Sequence, residues 1–161
     1  MAADKIKTCE ELADIIEKEK AAGKTAGFTN GCFDILHLGH IKYLNDAKKE
    51  CDILVIGVNS DGSVRRLKGD ERPINPQQAR LEVLAALESV DYITIFDEDT
   101  PLELIKSLTP DVLFKGGDWR EEDIVGGDHV KASGGKVRVI PYLGGYSTTE
   151  LIQRIKKMRS Q

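Results

Sequence analysis

Two of the chain's three histidines stand three residues apart in GCFDILHLGH, residues 31–40. That spacing puts His37 and His40 on one side of a helix that starts there, and Gly39 between them leaves the approach open. Gly31 permits an unusual turn or a close backbone approach. A helix beginning near residues 37–39 turns its free N–H groups and the positive end of its dipole outward, which makes an anion site. Several chemistries are open to the histidine pair. A metal site needs about three or four ligands, but HLGH lacks the glutamate of HExxH and His129 lies in a distant polar stretch. A general base has little to do where the nucleophile is an already ionised phosphate. Two histidines at a helix start are an odd choice for packing. Donation to a phosphate suits these residue types best.

Four further stretches carry chemistry-bearing residues. In YLGGYSTTEL (142–151) a flexible Gly-Gly precedes hydroxyls at a helix start. It reads as a well-capped helix or as a second set of donors from Ser147 and Thr148. RRLKGDERP (65–73) holds four cations. Such a run is a solvated face or a mobile cationic loop, with Lys68 beside Gly69 the candidate to close over phosphates. Arg80, one turn into the next helix, can point to the site or make a structural ion pair. In FKGGDWRE (114–121) Lys115 ends a strand. Gly116 and Gly117 let a base or sugar pack on the backbone, and Asp118 can accept from a hydroxyl or amine. Trp119 is a lid residue or ordinary packing. In VNSDG (58–62) Asp61 caps a short helix or contacts a ligand.

The elements that must position these residues alternate. Apolar runs at 25–29, 53–58, 92–96, 112–115 and 137–141 predict five strands, the first of them weakly apolar. Between them, HLGHIKYLNDAKKE carries Ile41, Leu44 and Ala47 on one face, and NPQQARLEVLAALES (75–89) carries Ala79, Val83, Leu84 and Leu87. TPLELIKSL has Thr100 placed as N-cap and Pro101 as first helical residue. STTELIQRIKKM repeats that start, with Leu151, Ile152 and Ile155 behind the hydroxyls. TCEELADIIEKEKAAG reads as an extra amphipathic helix before the first strand. This alternation predicts an α/β fold, a parallel sheet with helices on both faces. Residues 67–76 and 116–135 are too polar or glycine-rich for core. Ligands bind beyond the carboxyl ends of such strands, so these stretches and GCFDILHLGH can border one pocket.

Bulk properties set the limits. The 161 residues suit one domain, with 1–23 as a helical extension and 24–161 as the catalytic core. A net charge of −4 argues against nucleic-acid binding by phosphate neutralisation, yet a local pocket can still be positive. No apolar run approaches the roughly 18 residues of a membrane span, and MAADKIKTCEE lacks a signal peptide's apolar region. Three cysteines without CxxC spacing make a disulfide framework unexpected. A cytoplasmic protein is the expectation.

On GCFDILHLGH together with YSTTEL, near opposite ends of one α/β domain, the chain resembles the HxGH-type nucleotidyltransferase superfamily. VNSDGSVRRLKGDERPINPQQAR, FKGGDW and YSTTELIQRI are similar, more narrowly, to the D-glycero-β-D-manno-heptose 1-phosphate adenylyltransferases. That activity often occurs fused behind a sugar kinase, so this chain is expected to be the stand-alone form, served by a separate kinase and phosphatase. The resemblance implies a Rossmann-like doubly wound sheet, often in a homodimer. It implies a reaction in which ATP and heptose 1-phosphate give ADP-heptose and pyrophosphate, with magnesium carried mainly on the ATP phosphates. It implies catalytic roles for His37, His40 and Lys68. Nucleotide contacts are accordingly expected at Asn30, Gly31, Cys32, Phe33, Gly39, Lys115, Gly116, Asp118, Ser147 and Thr148. Acceptor contacts are expected at Asp34, Asn59, Asp61, Arg66 and Arg80, and no side-chain metal site is expected. Alcohol-phosphate cytidylyltransferases carry an arginine shortly before ISTT, whereas this chain reads LGGYSTT, which counts against that branch. FAD synthesis, a non-catalytic nucleotide-binding module and a metallohydrolase are the competing readings.

Overall fold

The computed structural model describes residues 2–158. Strands β1 (Ala26–Gly31), β2 (Ile53–Asn59), β3 (Tyr92–Phe96), β4 (Val112–Gly116) and β5 (Lys136–Ile140) form one sheet in the order β3-β2-β1-β4-β5, every pairing parallel. This is the Rossmann-like, doubly wound α/β fold. Each strand lies within two residues of its expected ends.

Side chains alternate across the sheet with a period of two. Phe28, Val55 and Leu113 enter one apolar cluster, whereas Leu54, Ile56 and Phe114 enter another. The first cluster is closed by α1 (Cys9–Ala21), α5 (Leu102–Leu108) and α6 (Gly127–Ala132), through Leu12, Ile105 and Val130 among others. The second is closed by α2 (Leu38–Lys48) and α4 (Gln77–Ala85), through Tyr43, Leu44, Leu81 and Leu84. Two further helices, α3 (Asp61–Lys68) and α7 (Thr148–Met158), sit at the carboxyl end of the sheet's connections.

The amphipathic pattern before the first strand forms α1. Thr8 caps it through a reciprocal box: Thr8 Oγ1 accepts from Glu11 N at 3.2 Å, and Glu11 Oε2 accepts from Thr8 N at 2.8 Å. Leu12 and Ile16 are buried to 0% and 2% exposure, which stabilises by roughly 1.5–3 kcal/mol per side chain. Just before it, Lys7 N donates to Ile93 O at 2.9 Å and Ile6 bridges Ile93. The residues ahead of β1 thus cover the β3 edge, which would otherwise offer unpaired backbone groups.

Three expectations need correction. The buried face of α4 is Arg80, Leu81, Leu84 and Ala85, while Val83 is 52% exposed and the helix stops at Ala85. The face is rotated because the buried guanidinium of Arg80, not Ala79, points inward. Thr100 does not cap α5. Pro101 is the N-cap, and its carbonyl takes the first helical bond from Ile105 N at 2.9 Å. Residues 116–135 are not all peripheral, since Ile124 and Val130 belong to the core and α6, which carries Val130, forms ahead of β5.

Candidate active site

The cleft arises from how β1 is paired. Its whole length, Ala26 to Gly31, pairs with β2, but only Gly27 and Phe28 pair with β4. Beyond Phe28 the sheet parts on the β4 side. This is the switch point, where connections on either side of β1 leave in opposite directions. A cleft of roughly 540 Å³ opens there. Asn30, Gly31, Cys32, Phe33, Asp34, His40, Asn59, Lys68, Lys115, Gly116 and Thr148 line it, bringing together all five stretches.

His37 is the N-cap of α2, in extended conformation and without a side-chain cap, so the first N–H groups of α2 are left for a ligand. Its ring stacks on His40 with centroids 3.8 Å apart, and His40 in turn tilts against Phe33 at 5.3 Å. Gly39 makes this possible: a Cβ there would lie 3.0 Å from the His37 ring and 3.3 Å from Tyr146 Cβ. Phe33 adopts a left-handed φ of 47°, an uncommon conformation that bends the loop over the cleft.

The second helix start meets the first. Ser147 Oγ accepts from Glu150 N at 3.1 Å and caps α7, as expected. Thr148 Oγ1 donates to Ile35 O at 3.3 Å, across 113 residues of sequence. Two helix N-termini therefore meet; of the histidines His40 lines the cleft, while His37, stacked on it, lies outside the lining with Gly39 and Ser147.

Both histidine Nδ1 atoms are buried without a protein partner among the described residues. Burial, and secondarily the neighbouring His37, pushes the His40 pKa down to about 4; burial also lowers that of His37. With His40 depressed from 6.5, the folded protein binds fewer protons than the unfolded chain between those values. This contribution to stability is complete above pH 6.5 and is lost as pH falls toward 4. Discounted for partial exposure it is on the order of 2 kcal/mol. Denaturant midpoints at neutral pH and near pH 4 should therefore fall further apart in the wild type than in His40→Asn. Equal falls would refute the shift.

The cleft's uncommitted charges are cationic. Among the described residues neither Lys68 nor Lys115 has a carboxylate partner. Lys115 Nζ lies 5.0 Å over the Trp119 ring, and burial, with Lys68 beside it, lowers its pKa. Lys68 is the last residue of α3, and Gly69 follows with φ 96°. The carboxylates at the rim are spent: Asp99 on Arg66, Asp123 on Arg120, Asp34 on Arg72. Burial raises the Cys32 thiol pKa, which keeps it protonated and no nucleophile.

Several expected contacts lie elsewhere. Arg80 is 2% exposed, and its three nitrogens donate to Asn75 O at 3.1 Å, Cys32 O at 2.5 Å, Asn59 O at 2.8 Å and Asp61 Oδ1 at 3.0 Å. It is a strut behind the cleft, not a substrate ligand, and Asp61 serves as its counter-ion. Arg66 turns outward to Asp97 and Asp99. Asp118 is exposed off the cleft. The Asp34 side chain is wholly buried on protein donors. The space above Gly116 and Gly117 is filled by Tyr142, whose ring would be 2.5 Å and 3.0 Å from Cβ atoms there. A base cannot stack on that backbone while Tyr142 holds this position. Sequence reasoning missed Tyr142, which no local pattern marks, and Arg72, visible only as one of four cations.

No three His, Cys, Asp or Glu side chains gather to hold a metal among the described residues. With the rim carboxylates committed to arginines, the side chains do not by themselves build a site for magnesium.

A family model described as cytidylyltransferase-like matches residues 28–154. The chain is 54% identical over 151 residues to the bifunctional protein HldE of Syntrophotalea carbinolica, and 56% identical over 151 residues to that of Geobacter metallireducens. Each match covers 94% of this chain but 31% of the relative. Among solved structures, the lipopolysaccharide core biosynthesis protein from Thermoplasma volcanium superposes with TM-score 0.62 at 31% identity, over 75% of this chain and 98% of that one. The pantoate-beta-alanine ligase of Francisella tularensis shares the fold, with TM-score 0.60 at 15% identity, over 97% of this chain and 79% of that one. With its paired histidines and two facing helix starts inside the matched region, the chain belongs to the cytidylyltransferase-like family.

Proposed function

We propose that the protein transfers AMP from ATP to D-glycero-D-manno-heptose 1-phosphate, releasing pyrophosphate and ADP-heptose. The observation that carries phosphate chemistry is the convergence of two helix N-termini and the His40 imidazole, with His37 stacked on it, at a cleft whose free charges among the described residues, Lys68 and Lys115, are positive. The choice of substrates rests on the resemblance of residues 58–80, FKGGDW and YSTTELIQRI to heptose 1-phosphate adenylyltransferases. The similarity to HldE proteins, named bifunctional and matched over 31% of their length, supports this chain as one of two activities.

A phosphate oxygen of the sugar attacks the α-phosphorus of ATP in line, forming one P–O bond as the bond to pyrophosphate breaks. The nucleophile is already anionic, so the protein's work is positioning and charge compensation. His40 and His37 donate to phosphate oxygens, the amides at the starts of α2 and α7 add fixed dipoles, and Lys68 offsets the leaving group. A magnesium ion would travel on the nucleotide phosphates. The same proposal includes a cytoplasmic homodimer supplied by a separate kinase and phosphatase. No described helix is long and apolar enough to cross a membrane.

The test is a panel of nucleotides against phosphorylated acceptors with pyrophosphate release measured. ATP with heptose 1-phosphate should be the productive pair. Turnover of CTP with glycerol phosphate in its place would sink the substrate choice, and ATP binding without pyrophosphate release from any acceptor would sink catalysis.

A further inference from the structure

Resting on the nucleotidyl-transfer reading, we infer that Arg72 is a phosphate-binding side chain of the cleft and that buried Asp34 is the residue that aims it. Arg72 lines the cleft, yet its side chain is only 16% exposed. Its Nε donates to Asp34 Oδ2 at 2.6 Å, and its two terminal nitrogens have no protein acceptor among the described residues. Asp34 has a side chain at 0% exposure, held from behind by Ile74 N and Asn75 N, each at 2.9 Å, while its own carbonyl accepts from Asn75 Nδ2 at 2.5 Å. A carboxylate so enclosed cannot touch substrate, but it fixes the plane of the guanidinium it holds. What remains free is the terminal fork of Arg72, the part whose geometry matches two phosphate oxygens. Lys68 and Lys115 on the same cleft lack carboxylate partners, which leaves a phosphate as the complementary ligand.

The arrangement also explains why the GCFD turn and the RPIN loop are joined. Asp34 anchors residues 72–75 in four places, so the loop that carries Arg72 is set by the turn that precedes His37. Asp34 is therefore a positioning residue, and Arg72 the contact.

The phosphate belongs either to the sugar acceptor or to the nucleotide, and kinetics separates them. Arg72→Lys and Asp34→Asn are to be compared with wild type in the full chain, with ATP and heptose 1-phosphate varied in turn and with calorimetric titration of ATP, heptose 1-phosphate and inorganic pyrophosphate. Arg72→Lys should raise the KM of one substrate by about tenfold or more and weaken its binding alike, because a point donor replaces the fork. Asp34→Asn should raise the same KM, and the double variant should add little to either. A rise for heptose 1-phosphate alone assigns the acceptor phosphate; a rise for ATP alone assigns the nucleotide. Both KM values within about twofold of wild type in folded Arg72→Lys, with unchanged titrations, would overturn the inference. So would equal losses for every substrate that merely track a lower melting temperature. A wild type that binds pyrophosphate but turns over no heptose phosphate refutes the substrate reading alone, and pyrophosphate affinity of Arg72→Lys then decides on Arg72. A wild type that binds none of the three probes overturns both.

Discussion

Replacing His40 by alanine is expected to lower pyrophosphate release by about 100- to 1000-fold, the usual effect of losing one preorganised donor, roughly 2.7–4 kcal/mol in the barrier. The fold should survive. His40 is partly exposed, it stacks on His37 and tilts against Phe33, and its Nδ1 has no protein partner among the described residues to lose. The ligand-free ring is neutral at physiological pH, since burial holds its pKa near 4. A neutral imidazole still donates one N–H, and the polyanion it faces lessens the cost of a second proton. Activity and melting temperature should therefore separate: turnover collapses while the thermal midpoint shifts by a few degrees. A folded variant keeping more than about a tenth of wild-type turnover would contradict the role given to this ring.

Arg80→Ala should do the reverse and act on the fold. The guanidinium is buried and makes four hydrogen bonds, so truncation leaves the carbonyls of Cys32, Asn59 and Asn75 without it and Asp61 without its counter-ion. Breaking a buried pair from one side costs about 3–5 kcal/mol, a large part of the roughly 5–15 kcal/mol that holds a domain together. Arg80→Lys should recover little, because one ammonium cannot reach acceptors on three segments. Urea denaturation followed by circular dichroism reads this directly. A midpoint equal to wild type, with only an altered KM, would restore Arg80 as a substrate ligand.

These two side chains show where sequence reasoning succeeds and where it stops. The strands were legible because Val, Ile and Phe recur in short runs between helical patterns, and the histidine pair because its residue types are rare and its spacing is local. The helix starts at Leu38 and Thr148 followed from glycines and hydroxyls beside them. Arg80 was not legible as a strut, because an arginine one turn into a polar helix looks the same whether it faces solvent or three carbonyls. The rotation of α4 follows from that one residue, and so does the exposure of Val83. The resemblance makes Asp34 an expected acceptor contact, but its partners lie some forty residues away in a loop legible only as polar and charged. Tyr142 opens a stretch legible only for its glycines and hydroxyls, and its ring position depends on Gly116 and Gly117 at the end of β4.

The helix that completes the site is also the one least held by it. No residue of α7 is buried, Ile155 and Met158 are 55% and 78% exposed, and the hydrogen bond from Thr148 to Ile35 is among its few ties to the body. The sheet and its two apolar clusters do not depend on that helix. Segments with little buried apolar surface open at a small fraction of the global unfolding free energy. Loss of the working shape and loss of the fold are then two distinct events. As the temperature rises, the working shape should therefore be lost first, while the five-stranded sheet is still whole.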